Sequence, residues 1–113
     1  MDMFTDSLLS DNEQNISEGN VCIMTHSFFS DVIRIGFTDN DPVDYALTLS
    51  QSTPGNYSVV FSLKCKQASN VAFRIKEYLS NKKYVNEFYE VSPKVAEHLL
   101  KRETLRIPVV DMA

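Results

Sequence analysis

Six basic side chains fall within twenty residues of the second half of the chain, and their chemistry is that of phosphate binding. They are Lys64, Lys66, Arg74, Lys76, Lys82 and Lys83. Lysine and arginine supply most of the affinity of proteins for nucleic acid because they neutralise backbone phosphates. Aromatic side chains at Tyr84, Phe88 and Tyr89 follow the last two lysines and could stack on bases. The pattern predicts a nucleic-acid-binding face, but a solvated charged face fits the basic residues as well, and such aromatics more often form the edge of a core.

Charge is unevenly distributed along the chain, whose net charge is −4. Residues 1–60 carry nine carboxylates and one base, whereas residues 61–113 carry ten bases and six carboxylates. The acidic total weighs against strong nonspecific DNA binding. It permits a further hypothesis, in which a DNA-like negative surface inhibits a nucleic-acid-binding host protein, although a solvated leader and helix caps explain the carboxylates more simply. These carboxylates are Asp2, Asp6, Asp11, Glu13, Glu18, Asp31, Asp39, Asp41 and Asp44.

Length and composition favour one globular domain. A chain of 113 residues can bury one core but not two, and 43% hydrophobic with 23% charged residues is typical of globular chains. No apolar run is long enough to span a membrane, and the acidic N-terminus is unlike a signal peptide. Cys22 and Cys65 are expected to be reduced thiols in buried strands of a cytoplasmic protein. His26 and His98 have no ligand at metal spacing, which favours ordinary histidines over a zinc site.

Apolar runs and alternation predict three strands at residues 20–25, 32–37 and 57–65, with a short extended piece at 88–91. The third strand shows the clearest alternation, which predicts a single shared face. Its members are Tyr57, Val59, Phe61, Leu63 and Cys65.

Three helices are predicted, and a proline marks the start of two of them. Asp41-Pro42 and Ser92-Pro93 each join an N-cap side chain to a proline suited to the first helical turn. A basic amphipathic helix lies between them, with Val71 and Ile75 on its apolar stripe. The inner face expected for the first helix consists of Val43, Ala46 and Leu47, with Ser50 as an open fourth position.

The resulting order, β-β-α-β-α-(β)-α, predicts an α+β domain with a small, mostly antiparallel three-stranded sheet flanked by helices. The predicted boundaries are an acidic flexible leader at 1–18, the domain at 19–104 and a C-terminal tail at 105–113.

Two motifs stand out in this order of elements. The first is Ile33-Arg34-Ile35-Gly36-Phe37-Thr38 followed by Asp41-Pro42, and the second is Asn86-Glu87-Phe88-Tyr89-Glu90-Val91-Ser92-Pro93. Together they resemble the small phage and bacterial branch of the GIY-YIG nuclease superfamily. The resemblance covers roughly residues 19–103, which is nearly the whole predicted core. It implies the fold of that family and a phage or bacterial source.

The resemblance also implies roles for particular residues. In the family, a tyrosine of the first strand acts near the attacking water, an arginine of the first helix stabilises the phosphate and a glutamate holds a divalent cation. Glu87 matches that glutamate and would hold Mg²⁺, which prefers carboxylate oxygen. If the enzyme is active, Glu87, Arg34 and Tyr45 form its catalytic set, with Arg34 and Tyr45 exchanging the roles of base and phenol.

The chain departs from the family pattern at three positions. Cys22 stands where the tyrosine is expected, Tyr45 where the arginine is expected, and Lys76 where this branch tends to have a histidine. Losing one electrostatic group of this kind typically costs about 10²–10³ in rate.

The leading hypothesis is therefore a non-catalytic binding module without a cofactor, which acts on nucleic acid or on a nucleic-acid-handling protein. The alternative is a Mg²⁺-dependent endonuclease that hydrolyses DNA phosphodiesters. The sequence predicts no membrane partner and no small-molecule cofactor, and it leaves a homodimer open.

Overall fold

A computed structural model describes residues 18–105, which form one antiparallel sheet and three helices. The strands are β1 (Glu18–His26), β2 (Phe29–Thr38), β3 (Tyr57–Lys66) and β4 (Phe88–Tyr89). The helices are α1 (Pro42–Ser52), α2 (Ala68–Tyr78) and α3 (Pro93–Thr104), with a 3₁₀ turn at Ser80–Lys82. The strand order is β3-β1-β2-β4, and every pair is antiparallel. The α+β class and the antiparallel sheet flanked by helices are confirmed.

The predicted leader, except Glu18, and the predicted tail, except Leu105, lie outside the described residues. Between residues 18 and 105, none of the helices is both long enough and apolar enough to cross a membrane.

The described sheet has four strands, so the predicted count of three is wrong. The extended piece at Phe88–Tyr89 pairs with β2, where Phe88 lies opposite Arg34 and Tyr89 opposite Ile33. A tight turn precedes this pair, since the Tyr84 N–H donates to the Phe88 carbonyl at 2.8 Å. Two residues are too few to give a periodic signal, and the strand exists because β2 offers it an edge.

Helices cover both faces of the sheet. Alternation in β1 sends Val21 and Ile23 to one side and Cys22 and Met24 to the other, and all four side chains are fully buried. The side of Val21 packs against α2 and α3, whereas the side of Cys22 packs against α1. The residues that α2 and α3 bury on the first side include Val71, Ala72, Ile75, Ala96 and Leu100.

A β-bulge divides β3 between these two sides. Ile23 of β1 pairs with Phe61, but the next residue of β1 pairs with Val59, so Val60 is an extra residue on β3. The predicted single face therefore splits into Tyr57 and Val59 on the α1 side and Phe61, Leu63 and Cys65 on the other. The alternation could not reveal the bulge because both sides of this sheet are apolar.

The two predicted N-caps are confirmed. The Asp41 carboxylate accepts a hydrogen bond from the Val43 N–H at 3.0 Å, and the Ser92 hydroxyl accepts one from the Val95 N–H at 3.3 Å. The predicted inner face of α1 is partly wrong, since Val43 and Leu47 are 59% and 55% exposed. Ala46 is buried, but its packing companions are Tyr45 and Leu49, so α1 is rotated from the expected orientation.

Helices α2 and α3 are joined by an ion pair around a buried carboxylate. The Glu103 side chain is 2% exposed, and its Oε2 lies 3.3 Å from Nε of Arg74, whose own side chain is 45% exposed. A carboxylate at such depth requires charge compensation. Arg74 therefore has a structural contact in addition to its predicted role at phosphate.

We expect Arg74→Ala to lower the free energy of unfolding by about 2 kcal/mol, because it leaves the Glu103 carboxylate buried without this cation. Lys76→Ala also removes one positive charge from α2, and it should change the free energy of unfolding by less than about 0.5 kcal/mol. Urea unfolding followed by circular dichroism measures both variants. Equal effects of the two substitutions would show that the ion pair does not stabilise the helix contact.

Candidate functional site

A cleft lies on the α1 side of the sheet, beside the strands that α1 does not cover. Because Ile33 and Ile35 of β2 face α2 and α3, the alternating residues Arg34 and Gly36 face the α1 side. Strand pairing places Gly36 opposite Cys22, and Arg34 between Met24 and Phe88.

The guanidinium of Arg34 is held in place by Tyr57. Its Nη1 donates a hydrogen bond to the Tyr57 hydroxyl at 3.0 Å, and its central carbon lies 5.3 Å from the Tyr57 ring centroid. Arg34 is half-buried and Tyr57 is buried. The contact combines a hydrogen bond with a cation–π interaction, so the cation is already oriented before any ligand arrives.

Tyr45 of α1 lies directly over Gly36. A Cβ atom on residue 36 would come within 2.9 Å of the Tyr45 ring carbon Cε2 and closer still to its hydroxyl oxygen. Glycine is therefore required here by the close approach of a ring. Burial raises the pKa of the Tyr45 phenol, the charge of Arg34 opposes that rise, and the carboxylate of Glu87 adds to it. The phenol is neutral at neutral pH.

The thiol of Cys22, like the phenol of Tyr45, is neutral at neutral pH. Its side chain is fully buried, and burial together with the carboxylate of Asp41 raises the pKa of the thiol to about 11. A neutral buried thiol neither accepts a proton nor attacks readily. Cys22 and Tyr45, which the resemblance places where a catalytic tyrosine and arginine are expected, are therefore two neutral groups.

Glu87 is presented at the rim of the cleft by a tight turn before β4. The Phe88 N–H donates to the Val85 carbonyl at 3.1 Å, and Asn86 adopts a left-handed conformation with φ of 55°, which asparagine tolerates better than most residues. Glu87 itself is exposed. Within residues 18–105, no group of three His, Cys, Asp or Glu side chains could hold a metal ion. Within this range the protein therefore offers no complete set of ligands, and a cation at Glu87 would also need oxygen atoms from water or a substrate phosphate.

Arg34 and Glu87 line the same pocket, and the charges of both influence the pKa of the Tyr45 phenol, so the three predicted catalytic residues lie near one another. The six predicted nucleic-acid-binding residues are distributed over the molecule. Lys64 and Lys66 lie on the edge strand β3, Lys82 and Lys83 lie beside β4 at the other edge, and Arg74 and Lys76 lie on α2. Their binding role stays a prediction, and any shared contact would have to follow a path around the sheet.

An aromatic pocket of about 360 Å³ opens next to Arg34. Its rings belong to His26, Phe28, Phe29, Tyr57 and Phe88, and its polar groups include Arg34, Asn86 and Glu87. Except for Arg34, Glu87 and Phe88, these residues were not predicted to belong to a site. The available signal was the pair Phe28-Phe29, two consecutive large aromatic residues between adjacent predicted strands, where a short polar turn is usual.

His26 joins two of the pocket's walls. Its Nδ1 accepts a hydrogen bond from the Phe28 N–H at 3.1 Å, so Nε2 carries the hydrogen and donates to the Pro54 carbonyl at 3.0 Å. Gly55 follows with φ of 83°, and a Cβ there would lie 2.8 Å from the same Nε2. The imidazole therefore ties the β1–β2 turn to the loop after α1 and uses both nitrogens to do so.

The acidic residues of the first half are only partly described. Asp41 caps α1, and Glu18 forms an ion pair with Lys64 at 3.7 Å. Asp2, Asp6, Asp11 and Glu13 lie outside the described residues. The described contacts agree with a capping role for Asp41 and with local charge pairing for Glu18.

No protein-family model, curated protein or solved structure matches the chain. The likeness to GIY-YIG nucleases therefore stays a prediction from the residues.

The thiol of Cys22 should be unreactive in the folded protein. With a pKa of about 11, its thiolate fraction at pH 8 is about 10⁻³, against about 10⁻¹ for a thiol of pKa 9.0. Alkylation by iodoacetamide in a Cys65→Ala background should therefore be at least about 100-fold slower in folded than in urea-unfolded protein. Because burial raises the pKa, the folded rate should still rise about tenfold per pH unit between pH 8 and pH 10. Equal folded and unfolded rates at pH 8, measured by mass spectrometry, would refute the neutral buried thiol.

Proposed function

We propose that this chain is a non-catalytic binding module that recognises nucleic acid through the cleft around Arg34, on a scaffold similar to that of GIY-YIG nucleases. The observation that carries the proposal is the contact of the Arg34 guanidinium with Tyr57, in a cleft where Cys22 and Tyr45 are both neutral.

Arg34 suits phosphate recognition because of its surroundings. One of the five N–H donors of its guanidinium is engaged by Tyr57, which leaves donors for an anion. A half-buried cation attracts phosphate more strongly than a fully solvated one, because less water screens the interaction. Its side chain is also ordered by Tyr57 in advance, which reduces the entropy lost on binding.

Catalysis has less support from the same cleft. Phosphodiester hydrolysis needs fixed positive charge where negative charge develops and a group that accepts the proton of the attacking water. Tyr45 carries no charge, and Cys22 is neutral and buried. Glu87 is an exposed carboxylate that belongs to no group of three possible metal ligands among residues 18–105, so a cation held there would take further ligands from water and phosphate oxygen atoms.

Binding to fluorescein-labelled single-stranded and duplex DNA, measured by anisotropy over a series of salt concentrations, tests the proposal. Arg34→Gln should weaken binding roughly tenfold and lower the slope of log affinity against log salt by about 1, because one phosphate contact is lost. Arg34→Lys should retain the slope but lose part of the affinity, since it keeps the charge without the planar donors.

Arg102→Gln is the matched control. Arg102 lies in the last turn of α3, on the far side of the sheet, and its guanidinium packs over the Tyr78 ring at 5.5 Å. This substitution removes the same charge and should leave binding within about twofold of wild type. If no probe binds even at low salt, or if both glutamine variants lose affinity equally, the cleft is not the nucleic-acid site.

A Mg²⁺-dependent endonuclease is the second candidate, favoured by the electrostatic proximity of Arg34, Tyr45 and Glu87. Supercoiled plasmid incubated with the protein and Mg²⁺ or Mn²⁺ separates the two functions. As a binding module, the wild type should leave the plasmid intact, and so should Glu87→Ala. Cleavage that disappears in Glu87→Ala but persists in Glu90→Ala, an exposed carboxylate three residues away, would instead establish the enzyme.

A further inference from the structure

The aromatic pocket beside Arg34 is lined by several rings that pack on one another. The rings of Tyr57 and Phe88 lie within 16° of parallel, with centroids 6.1 Å apart. Phe29 packs against Phe88 with centroids 5.1 Å apart and is 37% exposed, whereas Phe28 is 65% exposed. Exposure of such large apolar rings to water is unfavourable, and rings exposed in this way are typical of surfaces that bind a partner.

Polar groups stand at two sides of these rings. Arg34 contributes a cation next to the Tyr57 ring, and the turn before β4 contributes the amide of Asn86 and the carboxylate of Glu87. A guanidinium matches a phosphate, while amide and carboxylate groups match the amino and ring nitrogens on the edge of a base. The volume of about 360 Å³ lies in the range of pockets that enclose a small flat ligand.

We infer that the aromatic pocket takes one unpaired base of a single-stranded nucleic acid, with the adjoining phosphate at Arg34. The inference rests on the proposed function and names its substrate class. Bases stack on aromatic side chains with little dependence on sequence, because every base has a π face. A duplex would first have to unpair and flip a base to reach the pocket, so single strands are preferred.

A protein partner is the less favoured occupant. An apolar or aromatic side chain from a partner could occupy the pocket that these rings line. It would bring no anion to Arg34, whose side chain is half-buried at the wall of the same pocket. A nucleotide satisfies the rings and the cation together.

An oligonucleotide with a central 2-aminopurine reports on stacking directly, because the fluorescence of this base is quenched when it stacks on a ring. Wild-type protein should quench the single-stranded probe and bind it at least tenfold more tightly than the corresponding duplex. Phe28→Ala should weaken single-strand binding by roughly 5- to 100-fold and reduce the quenching. Phe28 is largely exposed, so the variant is expected to fold.

Phe73→Ala is the control for a lost exposed ring. Phe73 is 60% exposed on α2, which covers the other side of the sheet. Its removal should change neither affinity nor quenching. An oligonucleotide of the same length with abasic sites at its centre keeps the phosphates and should bind the wild type about as weakly as the intact strand binds Phe28→Ala.

The possible failures have separate readouts. Suppose that Arg34→Gln weakens binding, that Phe28→Ala and Phe73→Ala bind like the wild type, and that the abasic strand binds like the intact strand. The inference of a base pocket is then wrong, and the proposed function stands. If no oligonucleotide binds, the proposed function fails. Adenosine monophosphate, followed through the NMR shifts of the Phe28 and Phe29 ring protons, then tests the pocket without a strand. Unchanged shifts at millimolar concentration would overturn base recognition and leave a protein side chain as the occupant.

Discussion

The central strand β1 has to bury both of its sides, and this constraint decides where the other elements lie. Its residues from Val21 to Met24 are all fully buried, so apolar cover is needed above and below the sheet. Two helices, α2 and α3, supply the cover on one side and pack on each other through Arg74 and Glu103. On the other side α1 alone is available among the described elements, and it packs chiefly on β3. The part of β2 that carries Arg34 therefore remains accessible.

Arg34 lies in this accessible part of β2, where its side chain is partly buried but its charge still has to be solvated. A half-buried guanidinium loses water, and the Tyr57 hydroxyl and ring replace some of what it loses. Tyr57 can serve in this way only because it lies before the bulge at Val60. Without that extra residue, Tyr57 would share a side with Phe61 and face α2 and α3. A single irregularity in β3 therefore helps to assemble the cleft.

Local signals predicted the elements of this fold well, and packing decided what they missed. Asp41-Pro42 and Ser92-Pro93 are helix starts whatever surrounds them, because an N-cap side chain and a proline act within one turn. The orientation of α1 depends on a distant contact, the approach of Tyr45 to Gly36, so Val43 and Leu47 point outward despite their apolar character. A resemblance in motif order predicted that Arg34, Tyr45 and Glu87 belong to one site. The aromatic pocket could not be predicted in this way, since its residues come from two turns, a loop and all four strands, which meet only in the folded chain.

The chemistry of the cleft also follows from where its charge resides. A catalytic cleft for phosphodiesters needs a cation aimed at the scissile phosphate and a group close to the attacking water. Here the cation comes from the sheet, at Arg34, and points toward the Tyr57 side, while Tyr45 and Cys22 form a neutral, buried region around Gly36. A water molecule in that region would meet a protonated thiol and a protonated phenol, and neither can accept its proton. The same arrangement suits a ligand that stays intact, because a phosphate can rest on Arg34 while the attached base extends away from Gly36 toward the aromatic rings. These observations are why we propose recognition rather than hydrolysis as the function of this cleft.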